Sequence, residues 1–335
     1  DPQSRFNPGK IVNPPKMDDR SLFRYSADYN VPDFKTKLDW TAYTGGGSGL
    51  QGAVEMCNNN GACRKLKGGV MCPSFRVTRK ERDLTRGRAN SLRLAISGQL
   101  GPDALTSDQM AETMKLCVSC KGCKSECPTG VDMARMKIEV LSARAQKHGL
   151  TLHDRLVAFL PRYAPWASRM QILINLRNTV PGLAKLTEGL TGFTATRKLP
   201  TWSADPFKDH EVPAQQAPKA ILFADSFNRY FEPENLRATV NVLKAANVPI
   251  HLATAPAGER PLCCGRTFLS TGLVEEAKHE AKRLVDALLP YAKQGLPIIG
   301  LEPSCLLTLR DEIPTLLPGE DTKLLADHAR MLEEY

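Results

Sequence analysis

Residues 117–128 read Cys117-Val118-Ser119-Cys120-Lys121-Gly122-Cys123-Lys124-Ser125-Glu126-Cys127-Pro128, a CxxCxxCxxxCP run. Iron–sulfur clusters are held by thiolates, and three cysteines spaced by two residues let one looped backbone wrap three corners of a cubane. The fourth cysteine of such a run, the one before proline, turns away to ligate a second cluster. A second cysteine set must then exist and return its own Cys-Pro to the first.

Cys57, Cys63 and Cys72-Pro73 supply that set. The exchange assigns Cys72, Cys117, Cys120 and Cys123 to one complete 4Fe-4S site and leaves Cys57, Cys63 and Cys127 for the other. Superposing CxxCxxC on Cys57 puts Asn60 at the middle position and Cys63 at the last, so one thiolate is missing. Three cysteines suit a 3Fe-4S cluster, or a 4Fe-4S cluster whose fourth iron takes water, an oxygen ligand or another residue. Asn60 reads equally as a loop residue with no ligating role. The CxxxxxC gap resembles the 3Fe-4S site of the succinate dehydrogenase iron–sulfur subunit. A structural zinc site competes for the complete set, although zinc normally takes four ligands in paired CxxC spacing.

The 335 residues suffice for two domains, and 42% hydrophobic with 24% charged content is that of an ordinary globular protein. No apolar run approaches the roughly 20 residues of a membrane helix, and no basic-then-apolar signal peptide opens the sequence. Ten cysteines, seven at cluster spacing, point to a reducing compartment. The expected location is cytoplasmic, or peripheral at the inner membrane. The formal charge of +9 is spread through helices without the interleaved aromatics of a nucleic-acid platform. A solvated face, an acidic partner or a membrane surface explains it as well.

The pattern around both cysteine sets is helical. Ala89, Leu92, Ala95 and Ile96 recur at steps of three and four over Thr85–Gln99. Thr106 or Ser107 can cap a second helix running into Cys117, and a third carries Met133, Met136, Ile138, Val140 and Leu141. Two cysteine loops separated by helices predict an α-helical two-cluster ferredoxin domain over 51–150. Arg86, Arg88 and Arg93 beside Cys72 read as a solvated or salt-bridged face, or as positive field and donors near the clusters. Residues 151–217 predict a helical connector broken by Pro161, Pro165 and Pro181. From 218 to 335 strands at Ala220–Ala224, Ile250–Ala253 and Pro297–Leu301 alternate with helices at 233–246 and 273–291, which predicts a small parallel sheet. Ligands of such sheets sit at the carboxyl ends of the strands. Asp225, Ser226, Cys263, Cys264 and the stretch from Glu302 to Cys305 all fall there. His153, His210, His251, His279 and His328 have no partner at metal-ligand spacing and read as surface or core residues.

Three resemblances extend these readings. The opening DPQSRFNPGK resembles the closing segment of flavin-dependent oxidases of the vanillyl-alcohol oxidase type, which implies an FAD-binding portion upstream and makes 1–50 a flavoprotein tail and linker. Cys263-Cys264-Gly265 with Pro303-Ser304-Cys305 resembles one half of the CCG domain of heterodisulfide reductase and the glycolate oxidase iron–sulfur subunit. Two expected thiolates of that half are Ser226 and Glu302 here, and its second half is missing, so Cys263, Cys264 and Cys305 either hold a metal or are a vestige. In order, tail, ferredoxin and CCG half resemble a fused flavin and iron–sulfur dehydrogenase for D-2-hydroxy acids, D-2-hydroxyglutarate or D-lactate. That resemblance, with the phrases Asn60-Gly61-Ala62-Cys63-Arg64 and Val70-Met71-Cys72-Pro73-Ser74, implies that the chain carries electrons from reduced FAD to a quinone, electron-transfer flavoprotein or cytochrome. It implies no catalytic residue for substrate oxidation within these residues. The competing expectations are a separate iron–sulfur subunit of a glycolate oxidase or heterodisulfide reductase type complex, and a structural or sensory cluster module.

Overall fold

The computed structural model of the chain describes residues 3, 5–19, 21, 23, 29, 31, 34–44 and 48–335. The triglycine at 45–47 of the expected linker lies outside the described residues, as do Asp1, Pro2 and Ser4 of the opening stretch.

Six helices build the cysteine-rich part: α1 Gly49–Glu55, α2 Pro73–Thr78, α3 Thr85–Ile96, α4 Asp108–Lys115, α5 Gly122–Glu126 and α6 Met133–His148. Helix α3 buries the expected Ala89, Leu92, Ala95 and Ile96, and ends three residues earlier than its periodicity suggests. The reason is Gly98, which turns left-handed and gives its N–H to Ala95. Ser107 caps α4 by accepting from the N–H of Met110, and Asp132 caps α6 by accepting from Arg135. Helix α4 stops at Lys115, which leaves Cys117 in the loop beyond it.

The later part of the expected linker is packed. Leu38 and Trp40 are buried, because the Glu139 carboxylate on α6 accepts hydrogen bonds from the N–H of Lys37, the N–H of Leu38 and the Trp40 indole. The Arg135 guanidinium lies 4.2 Å over the Trp40 ring.

Four short helices follow: α7 Leu152–Ala158, α8 Leu160–Arg169, α9 Gln171–Thr179 and α10 Leu183–Thr191. Pro161 opens α8 and Pro181 follows α9, as the sequence suggests, but Pro165 sits inside α8 rather than breaking it. It removes one donor, the N–H that would meet the Pro161 carbonyl, and the helix continues to Arg169. Residues 200–212 pack as well: Trp202 is buried beside Tyr230, and Phe207 lies in the core under the sheet.

The remainder is α/β: β1 Ala220–Leu222, α11 Ser226–Tyr230, α12 Pro233–Ala245, β2 Ile250–Leu252, α13 Arg266–Leu269, α14 Val274–Ala292, β3 Ile298–Gly300, α15 Pro303–Arg310, α16 Glu312–Leu316, α17 Glu320–His328 and β4 Ala329–Met331. All pairings are parallel, in the order β2-β1-β3-β4. Three strands stand where the sequence puts them; β4 has no apolar run to announce it. Ala220 and Leu222 face one core with α12 while Ile221 and Phe223 face the other, the period-two alternation of a sheet covered on both sides. The second of these cores runs without a break from the sheet into the cysteine-rich helices. Glu280 on α14, fully buried, answers Arg162 of α8, Arg283 and Arg260, and so ties α8 and the loop before Cys263 to α14.

Candidate iron–sulfur site

Cys72, Cys117, Cys120 and Cys123 rim one pocket of about 340 Å³, a volume that includes the solvent at its mouth. The loop that carries three of them folds tightly because Ser119 and Lys121 take left-handed conformations, φ 55° and 57°, strain of a kind that clusters at ligand sites. Cys72 arrives from the other loop, itself left-handed at φ 48°, and Pro73 immediately starts α2.

Two contacts deliver Cys72. The Glu126 carboxylate accepts from the N–H of Val70 at 2.6 Å and from that of Met71 at 3.1 Å. Gly122 permits the close approach, since a Cβ there would stand 2.8 Å from the Val70 side chain. Once in place, the Cys72 sulfur accepts from the Thr85 N–H at 3.1 Å and meets the Thr85 hydroxyl at the same distance. Arg88 is buried here, donating to the Thr113 carbonyl and the Ser74 hydroxyl, so it is a brace between α4 and α2 rather than part of a solvated face. Arg86 pairs with Glu81 at 2.5 Å; Arg93 is half-buried.

Sequence reading missed Glu126, although it is the sole acid between Lys115 and Pro128. Glu126→Ala should cost about 1.5–3 kcal/mol, the range for a hydrogen bond to a charged group, since one of its two bonds is exposed. Urea unfolding should show that loss, together with lower iron retention on dilution into chelator.

Burial pushes the Cys123 thiol up to about 12, against the N–H of Met133. A thiolate at this depth therefore needs a positive partner, and iron supplies one. Four thiols from two loops, with backbone N–H donors at the Cys72 and Cys123 sulfurs, fit an iron–sulfur cluster.

Cys57 and Cys63 are both buried and close enough to influence one another: burial raises the Cys63 thiol, and Cys72 and Cys57 add to it. At Cys127 burial is outweighed by the Thr129 hydroxyl and the N–H groups of Val131, Thr129 and Gly130, which hold that thiol below its ordinary value. Cys127 packs against the same core as Cys57 and Cys63. The Asn60 amide oxygen is occupied by the N–H of Ala62 at 2.8 Å and its amide N–H by Asn58. Asn59, left-handed at φ 64°, is the residue beside the Cys57 sulfur, at 3.8 Å.

In the α/β part, β1 connects to β2 on one side and β3 lies on the other, so the crevice between β1 and β3 is the switch point of the sheet. Cys264 lies there between Cys263 and Cys305, in thiol hydrogen bonds with both, and all three are buried. The bond to Cys264 and burial carry Cys263 well above its usual range. For Cys305 the bond to Cys264 works downward, but burial and the carboxylates of Asp225 and Glu302 carry it to about 11. Asp225 caps α11 and Glu302 caps α15, so both carboxylates are engaged with backbone N–H groups. Among the described residues no three His, Cys, Asp or Glu side chains converge as ligands of a single ion.

The cysteine loop is fastened to this second part. Lys124 reaches Asp311 at 2.5 Å, Lys121 pairs with Asp311 and Glu312, and Arg266 closes on Glu312. The Asp311 carboxyl is partly buried, which works upward, but the two lysines hold it below the usual range.

Comparison with known proteins agrees with this geometry. Residues 53–131 match the family of 4Fe-4S dicluster domains. The chain carries an iron–sulfur domain. It is similar to D-2-hydroxyglutarate dehydrogenase of Escherichia coli (strain K12), 25% identical over 98% of this chain and 36% of that protein. It is also similar to one subunit of the anaerobic glycerol-3-phosphate dehydrogenase of that organism, 25% identical over 61% of this chain and 50% of the relative. The glycolate oxidase iron–sulfur subunit, from the same organism, is 24% identical over 78% of this chain and 60% of the relative. The chain thus spans about a third of the length of the D-2-hydroxyglutarate dehydrogenase it matches. No solved structure matches the chain. No helix among the described residues is long and apolar enough to cross a membrane.

Proposed function

We propose that the chain is the electron-transfer portion of a flavin-dependent D-2-hydroxyacid dehydrogenase, taking electrons from FAD bound by an upstream part of the polypeptide and passing them to an external acceptor. The observation that carries this reading is the convergence of Cys72 on the Cys117, Cys120 and Cys123 loop. It is supported by similarity to D-2-hydroxyglutarate dehydrogenase along nearly the whole chain. Cys72, Cys117, Cys120 and Cys123 would hold a 4Fe-4S cluster, and Cys57, Cys63 and Cys127 a second, 3Fe-4S or 4Fe-4S. Bound clusters supply one-electron redox steps that split the two-electron flavin couple.

The protein's own part is to hold and tune. Glu126 and Gly122 fix the loop carrying Cys72, the Thr85 N–H meets the Cys72 sulfur, and N–H donors at Cys127 favour its thiolate. Arg88 braces α2, which follows Cys72, against α4, which precedes Cys117. Cys263, Cys264 and Cys305 form a buried thiol trio whose members meet one another rather than converge on an ion. Similarity to the glycolate oxidase and glycerol-3-phosphate dehydrogenase subunits favours a second reading, a separate subunit docking to a distinct flavoprotein.

Adding D-2-hydroxyglutarate or D-lactate anaerobically to the full polypeptide should bleach cluster absorbance and produce reduced-cluster EPR signals. Reduced flavin with clusters left oxidised would contradict an electron-transfer role.

A further inference from the structure

Helix α9 is built inside out. Its inward face is polar: Asn175 exchanges hydrogen bonds with the backbone of Trp202, Asn178 does so with Leu199, and the buried Arg177 donates to Thr187, Phe193 and Thr194. Its outward face is apolar, with Ile172 70% and Leu173 61% exposed. Helix α10 repeats the arrangement. Thr187 and Glu188 turn inward, while Leu186 and Leu190, one turn apart, are 67% and 70% exposed. Trp166, at the end of α8, is 68% exposed beneath the Arg169 guanidinium. A soluble surface helix normally shows the reverse, apolar residues to the core and polar ones to water. Apolar side chains gathered outward in this way mark an interaction site.

Charge says what the site meets. From Arg155 to Ser203 the chain has seven lysines and arginines and one acid, Glu188. Glu188 already accepts the N–H of Ala195. Arg162 and Arg177 are consumed internally, which leaves Arg155, Arg169, Lys185, Arg197 and Lys198 exposed around the apolar face. An apolar face with tryptophan and leucine, ringed by cations on helices too short to span, is the pattern of a segment lying in a bilayer interface. An anionic bilayer meets both features at once, its lipid phosphates facing the ring of cations and its acyl boundary receiving the leucines.

We propose that α9 and α10 form an interfacial membrane-binding element that seats its outward apolar face among the headgroups of an anionic lipid bilayer. This goes beyond the electron-transfer reading and does not depend on it.

The test is flotation of the anaerobically purified full polypeptide with vesicles of phosphatidylcholine alone or mixed with phosphatidylglycerol. The wild type should float with the mixed vesicles and be released by salt. Ile172→Glu with Leu173→Glu should lower the bound fraction by about tenfold or more, as should Arg169→Glu with Lys185→Glu. Because these side chains project outward, absorbance of the clusters and thermal unfolding should be unchanged. Failure of the wild type to float, or equal flotation of both variants, overturns the proposal. So does concentration-dependent self-association abolished by the Ile172 and Leu173 changes without lipid binding, which would assign the face to a second copy of the chain.

Discussion

Cys72→Ala should remove the cluster held by Cys117, Cys120 and Cys123, although none of these three is altered and all lie far along the chain. The reason is spatial. Cys72 faces the same pocket as the other three, brought there by Glu126 and Gly122 and held by Thr85. Three thiolates remain after the change, and the deep one, Cys123, has its thiol near 12 in the absence of a positive partner. An incomplete, exposed cluster on such a loop should be lost on purification. Iron should fall by about four per chain, with sulfide in proportion. The second cluster should persist, with its own EPR signal, because Cys57, Cys63 and Cys127 are intact. Cys127→Ala should show the converse. Unchanged iron in Cys72→Ala would contradict the shared site.

Gly272→Ala should damage the fold, because the added methyl meets backbone at a residue that is already left-handed. A Cβ at Gly272 would stand 2.4 Å from the Leu141 carbonyl carbon and oxygen and 2.6 Å from the Ser142 nitrogen. Those are backbone atoms of α6, so no side chain can rotate away, and Gly272 is also left-handed at φ 83°. Here the start of α14 meets the helix that follows the cysteine loop, and the two must separate to admit the methyl. Overpacking of about 1–3 kcal/mol and a left-handed penalty of about 1 kcal/mol give a loss of roughly 3 kcal/mol. Gly295→Ala is the control: its φ is 77°, yet nothing lies near its Cβ direction, so about 1 kcal/mol is expected. Urea midpoints of the two variants decide the matter. Equal losses would mean that the approach of α14 to α6 is not tight.

The meeting of Cys72 with Cys117, Cys120 and Cys123 was legible because cluster ligation restricts both residue type and spacing, and the exchange rule needs no knowledge of the fold. Three strands were legible because short apolar runs stand between prolines and glycines. Residues whose meaning depends on distant partners were not. Glu139 reads as one more helix acid until Lys37, Leu38 and Trp40 reach it from the segment read as linker. Arg88 reads as a surface cation until Thr113 and Ser74 enclose it. Strand β4 buries only the small Ala329 fully and includes an exposed Arg330, so no hydrophobic pattern marks it. In α9 the period was present, but its sense was inverted, and only burial shows which face looks outward.

Iron and sulfide analysis with EPR on anaerobically purified wild-type protein tests the central assignment most directly. Two clusters shared between the cysteine loops predict roughly seven irons with an oxidised-state signal near g of about 2.01, or roughly eight without it. About four irons per chain, or bound zinc in their place, would contradict it.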